Sequence, residues 1–225
     1  RIDEGVFGPH AAALDYGQYF VIRRADCPAL DVHGPDGQLT LLAWIRRRRK
    51  PEIQCEAIAG MWNESEQKRQ YALFLDLRIF QSADQVGAHV SATGGPTPGH
   101  PFCMEAAIGQ TWVEYGAHWE CVGLTYDGEM VRVYRNGWLD VRPERNPLPY
   151  PYGLYDAGPS GADFTLGAVH RSGEMGNFFV GDLAGLLFSN AALGEGQIRY
   201  LAKQTVPEAH AATGIALRKG AEQYA

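Results

Sequence analysis

The stretch Trp119-Glu120-Cys121-Val122-Gly123-Leu124-Thr125-Tyr126-Asp127-Gly128, continued by Met130-Val131-Arg132-Val133-Tyr134-Arg135-Asn136-Gly137-Trp138, decides the fold. Two runs rich in β-branched and aromatic residues flank Asp127-Gly128, a dipeptide that tolerates the positive φ of a tight hairpin turn. Asn136-Gly137 repeats that signal at the end of the second run. Turns this close together require antiparallel strands, because a parallel pair needs a long crossover connection.

Further strand signals lie on both sides of this hairpin. Upstream, Leu39 to Ile45 is an apolar run preceded by the turn Gly34-Pro35-Asp36-Gly37. Tyr71 to Leu77 follows a polar loop from Asn63 to Gln70, and Gln85 to Ser91 comes next. Downstream, Phe164 to Val169 and Phe178 to Phe188 complete the set. Helix is expected only near the end, from Leu193 to Gln204, with Glu208 to Ala225 either a second helix or a frayed tail. Strands without intervening helices imply an antiparallel two-sheet sandwich. With no internal repeat and no linker, residues 1–225 read as a single domain.

Composition narrows the class. The chain has 225 residues, 45% hydrophobic and 20% charged, which disfavours disorder. No apolar stretch has the length of a transmembrane helix, so membrane insertion is not expected. The formal charge of −6 argues against nucleic acid as a partner. The run Arg46-Arg47-Arg48-Arg49-Lys50 is expected at a solvated strand end or hairpin tip. The sequence opens at Arg1, as it would after removal of a leader or after trimming. Cys27, Cys55, Cys103 and Cys121 show no zinc-ligand spacing and allow either two disulfides or buried thiols. We take forward a secreted or periplasmic protein, with Cys103 bridged to Cys121 because the two flank one short connection.

The hairpin residues Trp119 to Asp127-Gly128 and Val131 to Asn136-Gly137 resemble the laminin-G-like branch of the concanavalin A-like lectin/glucanase superfamily. Leu39 to Ile45, with Ala29-Leu30-Asp31 before it, looks like that family's early strand, and Tyr71 to Leu75 like a following one. Phe178 to Ser189, then Ala192-Leu193 and Gln197-Ile198, is similar to its closing signature. Together these cover roughly residues 14 to 202. The resemblance implies an all-β, antiparallel two-sheet jelly roll with a short C-terminal helix, carrying a polysaccharide or oligosaccharide on its concave face. It departs from the family at Ala184 and Gly185, where many relatives carry an acidic pair that helps a structural calcium. Asp182 remains as an oxygen ligand for a possible calcium, an ion that needs six to eight such oxygens.

Candidate site residues follow from strand alternation. On Val86 to Ser91, the apolar Val86, Ala88 and Val90 should face the core, leaving His89 and Ser91 toward solvent or a groove. His89 suits a sugar hydroxyl or general-base work; the alternative is an ordinary surface histidine. Whether Tyr71, Leu73 and Leu75 or Ala72, Phe74 and Asp76 face the core stays open. Loops 92–102 and 142–163 are expected as groove walls, the second offering Tyr150, Tyr152 and Tyr155 as ring faces for sugars. His170 and Arg171 join them as ligand-binding candidates, while His100 and His118 are more readily explained as exposed or structural. Trp44, Trp112, Trp119 and Trp138 are expected in core or hairpin packing, and Trp62 is undecided.

Three functions compete. The first is carbohydrate recognition without catalysis. The second is a polysaccharide-degrading enzyme, most plausibly a lyase on an acidic glycan, using His89, Tyr71 and Arg48. The glucanase motif Glu-x-Asp-x-x-Glu is absent, since Glu52-Ile53-Gln54-Cys55-Glu56 lacks the aspartate, which weakens a glycosidase. The third is a protein-interaction module.

Overall fold

The computed structural model describes residues 2, 5–116 and 118–203. The segment Glu208 to Ala225, expected as a second helix or a frayed tail, lies outside them. Two sheets form an all-β jelly-roll sandwich. In the first, β1 (Ala12–Leu14) pairs with β15 (Gly181–Ser189), which pairs with β3 (Leu39–Arg47). Next follow β8 (Glu120–Tyr126), β9 (Met130–Arg135) and β10 (Trp138–Leu139), with β11 (Leu148–Pro149) also on β9.

The second sheet runs β14 (Glu174–Gly176), β13 (Val169–Arg171), β4 (Glu56–Asn63), β5 (Lys68–Leu75), β6 (Gln85–Val90) and β7 (Ala106–Trp112). The strand β12 (Phe164–Leu166) also pairs with β4 and carries β2 (Phe20–Ile22) on its far side. The strand pairs are antiparallel except for the contact between β13 and β4. Asp127-Gly128 forms the β8–β9 turn: Asp127 Oδ1 accepts the N–H groups of Glu129 and Met130, and Gly128 sits at φ +94°.

The sheets share one core, into which β3 sends Leu41, Ala43 and Ile45, β5 sends Tyr71, Leu73 and Leu75, and β6 sends Val86, Ala88 and Val90. The open choice on β5 is thereby settled. Each sheet also carries an apolar layer on its outer face. One contains Leu42, Trp44, Cys121 and Ile198, the last from α1 (Glu195–Ala202). The other contains Ala57, Trp62, Ala72, Phe74, Cys103 and Val169. Central strands buried on both faces read as continuous apolar runs, as β3 does.

Several expectations need correction. Arg46 to Lys50 is not a solvated tip. Arg47 is buried against Glu56, with Nη2 to Oε1 at 2.5 Å, and reaches Asp84 and the Val113 carbonyl. Lys50 joins Glu56 and Asp76, because a guanidinium and an ammonium removed from water must find carboxylates. Cys103 and Cys121 lie in opposite outer layers and all four cysteines are free thiols, so the expected bridge is not made. Trp44 is buried and Trp119 packs on its layer, but Trp112 and Trp138 are largely exposed. Trp138 is instead capped by the Arg199 guanidinium, 3.6 Å from its ring centre.

Candidate functional site

The outer layer of the second sheet does not fill the space above it. A cavity of about 290 Å³ opens there, bordered by Trp62, Phe74 and His89 from three adjacent strands. Register places these side chains together: Ala72 opposes His89 and Phe74 opposes Gly87, so both β5 residues share the face of His89. His89 stacks on Trp62 with ring centres 5.3 Å apart and meets Phe74 edge-on at 5.6 Å. Gly87 is needed beside them, because a Cβ there would come within 2.3 Å of Leu77 Cδ1, and Leu77 forms part of the wall.

Three segments raise the walls. Gln54 and Cys55 precede β4, Phe102 and Cys103 end the Gly/Pro-rich loop, and Arg171 and Asn177 flank the β13–β14 hairpin. The loop is stitched closed by Thr97, whose N–H reaches the Phe102 carbonyl at 3.1 Å and whose hydroxyl oxygen accepts the Met104 N–H at 2.8 Å. Phe102 is thereby held at the rim with half its surface exposed. Arg171 Nη1 donates to Asn177 Oδ1 at 2.6 Å, and Arg78, bridged to Asp76 at 2.9 Å, adds a second guanidinium. Trp62 Nε1 donates to Glu64 Oε1 at 3.2 Å.

His89 is buried, at 5% exposure, rather than exposed as the alternation argument expected. Its Nδ1 lies 2.9 Å from the Glu105 carbonyl oxygen. A carbonyl can only accept, so Nδ1 carries the proton and Nε2 is an acceptor. Burial pulls the imidazole down to about 4, with the Glu105 carbonyl opposing and Arg69 adding slightly, so the ring is neutral at pH 7. Cys55 and Cys103 are pushed up to about 12 by burial, which leaves protonated thiols. The cavity thus combines apolar ring faces, a neutral histidine acceptor, two arginines and the Glu64 carboxylate, one oxygen of which is taken up by Trp62 Nε1.

The other expected site residues are scattered. Tyr71 faces the shared core and donates to the Leu30 carbonyl at 2.7 Å, so it lines no groove, and Phe74 of the same strand borders the cavity instead. Arg48 binds Asp15 at 2.9 Å and the Leu14 carbonyl at 3.1 Å, at the β1 edge of the first sheet. His89, Tyr71 and Arg48 are therefore not assembled around one space. Ser91 is buried and accepts the Gly94 N–H at 2.9 Å. Tyr150 packs in the core, its hydroxyl oxygen accepting the Ala92 N–H at 2.9 Å, while Tyr152 projects into solvent. Tyr155 bonds Ser91 through its backbone, and none of the three tyrosines borders the cavity.

Arg171 lines this cavity, while His170 lines a neighbouring one with Trp62 between. His100 and His118 are exposed. The Asp182 carboxylate lies 2.9 Å from Arg46 Nε and 3.6 Å from Arg48 Nη2. Two guanidiniums against one carboxylate do not fit a cation, and no cluster of three metal-ligating side chains occurs among the described residues. Trp62, Phe74, Arg78 and Phe102 went unassigned as site residues, since strand β4 itself gave little signal.

No known sequence family matches the chain, and no curated protein matches it either. Solved structures do. The CBM40 module of the Ruminococcus gnavus IT-sialidase bound to α2,3-sialyllactose matches with a TM-score of 0.58 at 16% identity, covering 88% of this chain and 100% of that one. Domain 4 of AbnA, a GH43 extracellular arabinanase from Geobacillus stearothermophilus, in complex with arabinotriose, matches with a TM-score of 0.52 at 15% identity, covering 89% and 86%. Likeness at this identity establishes the fold.

Proposed function

We propose that the protein is a carbohydrate-binding domain of the concanavalin A-like superfamily, laminin-G-like in its hairpin motifs, that holds an acidic sugar in the cavity floored by Trp62 and His89. The observation that carries this reading is the cavity's mixed lining. Sugars present C–H faces to aromatic rings and hydroxyls to hydrogen-bonding groups. Phe102, half exposed at the rim, supplies the ring, and His89 Nε2 accepts from a hydroxyl. Arg78 and Arg171 offer guanidinium N–H groups to a carboxylate, a pairing that gains from planar geometry. The sandwich shared with modules solved in complex with sialyllactose and arabinotriose is consistent with this role. A secreted or periplasmic setting is part of the reading, since such glycans are met there.

Binding is favoured over a lyase reaction. A lyase needs a base strong enough to take a proton from a sugar carbon. An imidazole held near 4 is weak, and the cavity holds no tyrosine to replace it. The test is a glycan array followed by calorimetry on the acidic oligosaccharides retained. Arg171→Ala should weaken binding about 10-fold or more, the loss expected for a charge-assisted hydrogen bond. Phe102→Ala should weaken it with little change in melting temperature. No retention of any glycan, or retention indifferent to both substitutions, overturns the proposal. So does an unsaturated product released from a uronate polymer.

A further inference from the structure

The β13–β14 hairpin divides the outer face of the second sheet. Arg171 borders the cavity described above, whereas His170 and Met175 border another of about 310 Å³, and Trp62 lines both. Two independent features mark this second cavity as built for a ligand. Thr165 is buried at 6% exposure, yet its hydroxyl has no hydrogen-bond partner among the described residues. A buried hydroxyl left unpaired is costly, and a polar ligand group that paired with it would remove that cost. Across from it, Tyr19 and Val21 stand exposed at the sheet edge and offer apolar surface beside the polar groups.

The chemistry differs from that of the first cavity. Among the described residues no arginine or lysine lines it; the carboxylate there is that of Asp163, one oxygen of which accepts the Arg24 N–H at 2.8 Å. His170 is held with Nδ1 3.1 Å from Ser65 Oγ, and Asn63 Oδ1 accepts the Glu66 N–H at 3.0 Å while the Glu66 carboxylate engages one of its two amide N–H groups, so the other is the donor Asn63 can offer. Thr165 can donate and accept, Asp163 accepts, and Asn63 donates. Such a set suits several hydroxyls on one ring, and the carboxylate, unlike Glu64 in the first cavity, has no arginine on the same lining to offset it against an anion.

We infer that this cavity is a second saccharide site, selective for a neutral sugar, on the same face as the acidic-sugar cavity. The inference rests on the carbohydrate reading, and the experiment separates the two. Backbone amide shifts of the ¹⁵N-labelled protein are followed while it is titrated with lactose, with arabinotriose and, separately, with glucuronate. Lactose or arabinotriose should move the resonances of Thr165, His170 and Asn63, and glucuronate those around His89 and Arg171. Thr165→Val, close in shape but without the hydroxyl, should weaken the neutral-sugar response at least 5-fold and leave the glucuronate response unchanged.

Glucuronate binding without a response near Thr165 to either neutral probe overturns the second site alone. A response that Thr165→Val does not weaken also overturns it. Silence to all three probes overturns both readings.

Discussion

Acidification should destabilise this protein in part through one buried histidine. The His89 imidazole sits at about 4 in the folded chain and near 6.5 when unfolded. Because the folded value is the lower one, the unfolded chain takes up the proton first as pH falls. Stability from this group is complete above about pH 6.5 and declines by about 1.4 kcal/mol per pH unit down to about pH 4, where it levels off. Between pH 7 and about pH 4.5 the loss integrates to about 2 kcal/mol. Solvent screens little of it, since His89 is 5% exposed beneath Trp62 and Phe74.

Urea unfolding midpoints of the wild type and His89→Gln, measured across that range, isolate the effect. Glutamine keeps an amide donor for the Glu105 carbonyl but cannot titrate, and every carboxylate titrates in both proteins. The wild type should lose about 2 kcal/mol more than the variant. Nitrogen-15 spectra of the wild-type imidazole give a direct check that needs no variant: Nδ1 should stay protonated and Nε2 bare down to about pH 5. Equal acid losses in the two proteins, or an imidazole titrating near 6.5, would refute the reasoning.

Three further outcomes follow from the structure. Glu56→Ala should cost about 3 kcal/mol in equilibrium unfolding, because it removes the carboxylate that Arg47 and Lys50 share in the interior and leaves Arg47 with Asp84 and Lys50 with Asp76. Gly128→Val should lower stability by about 1 kcal/mol or more through backbone strain alone, since φ is +94° and a Cβ there meets nothing within 4 Å; an unchanged melting temperature contradicts that turn. Arg48→Ala should leave acidic-glycan affinity unchanged by calorimetry, as its guanidinium serves the β1 edge rather than the cavity.

The sandwich was legible in the sequence because its main cues are local. Asp127-Gly128 specifies a turn through backbone conformation alone, and the runs at 39–45, 71–75, 85–90, 121–126 and 130–134 became strands β3, β5, β6, β8 and β9. Strands β4 and β7 were not legible. Glu56-Ala57-Ile58-Ala59-Gly60-Met61-Trp62 and Ala106-Ala107-Ile108-Gly109 are rich in alanine and glycine, residues of low strand propensity whose place depends on packing between neighbours. With β4 hidden, so was Trp62, the floor of both cavities.

Alternation put His89 opposite Val86, Ala88 and Val90, but it could not say what lies above that face. Period two assigns a side chain to one side of a sheet and is silent on whether that side meets water or a second apolar layer. The loop at 97–104, the hairpin carrying Val169 and the segment at Cys55 come from distant parts of the chain. Only their convergence made a histidine expected toward solvent or a groove a buried neutral one on a cavity wall, and turned Arg47 inward to Glu56. Turn chemistry and strand sides are properties of a few neighbouring residues, so the sequence alone determined them. Burial, protonation and the shape of the cavities depend on contacts between segments far apart in the chain, and only the tertiary structure decided those.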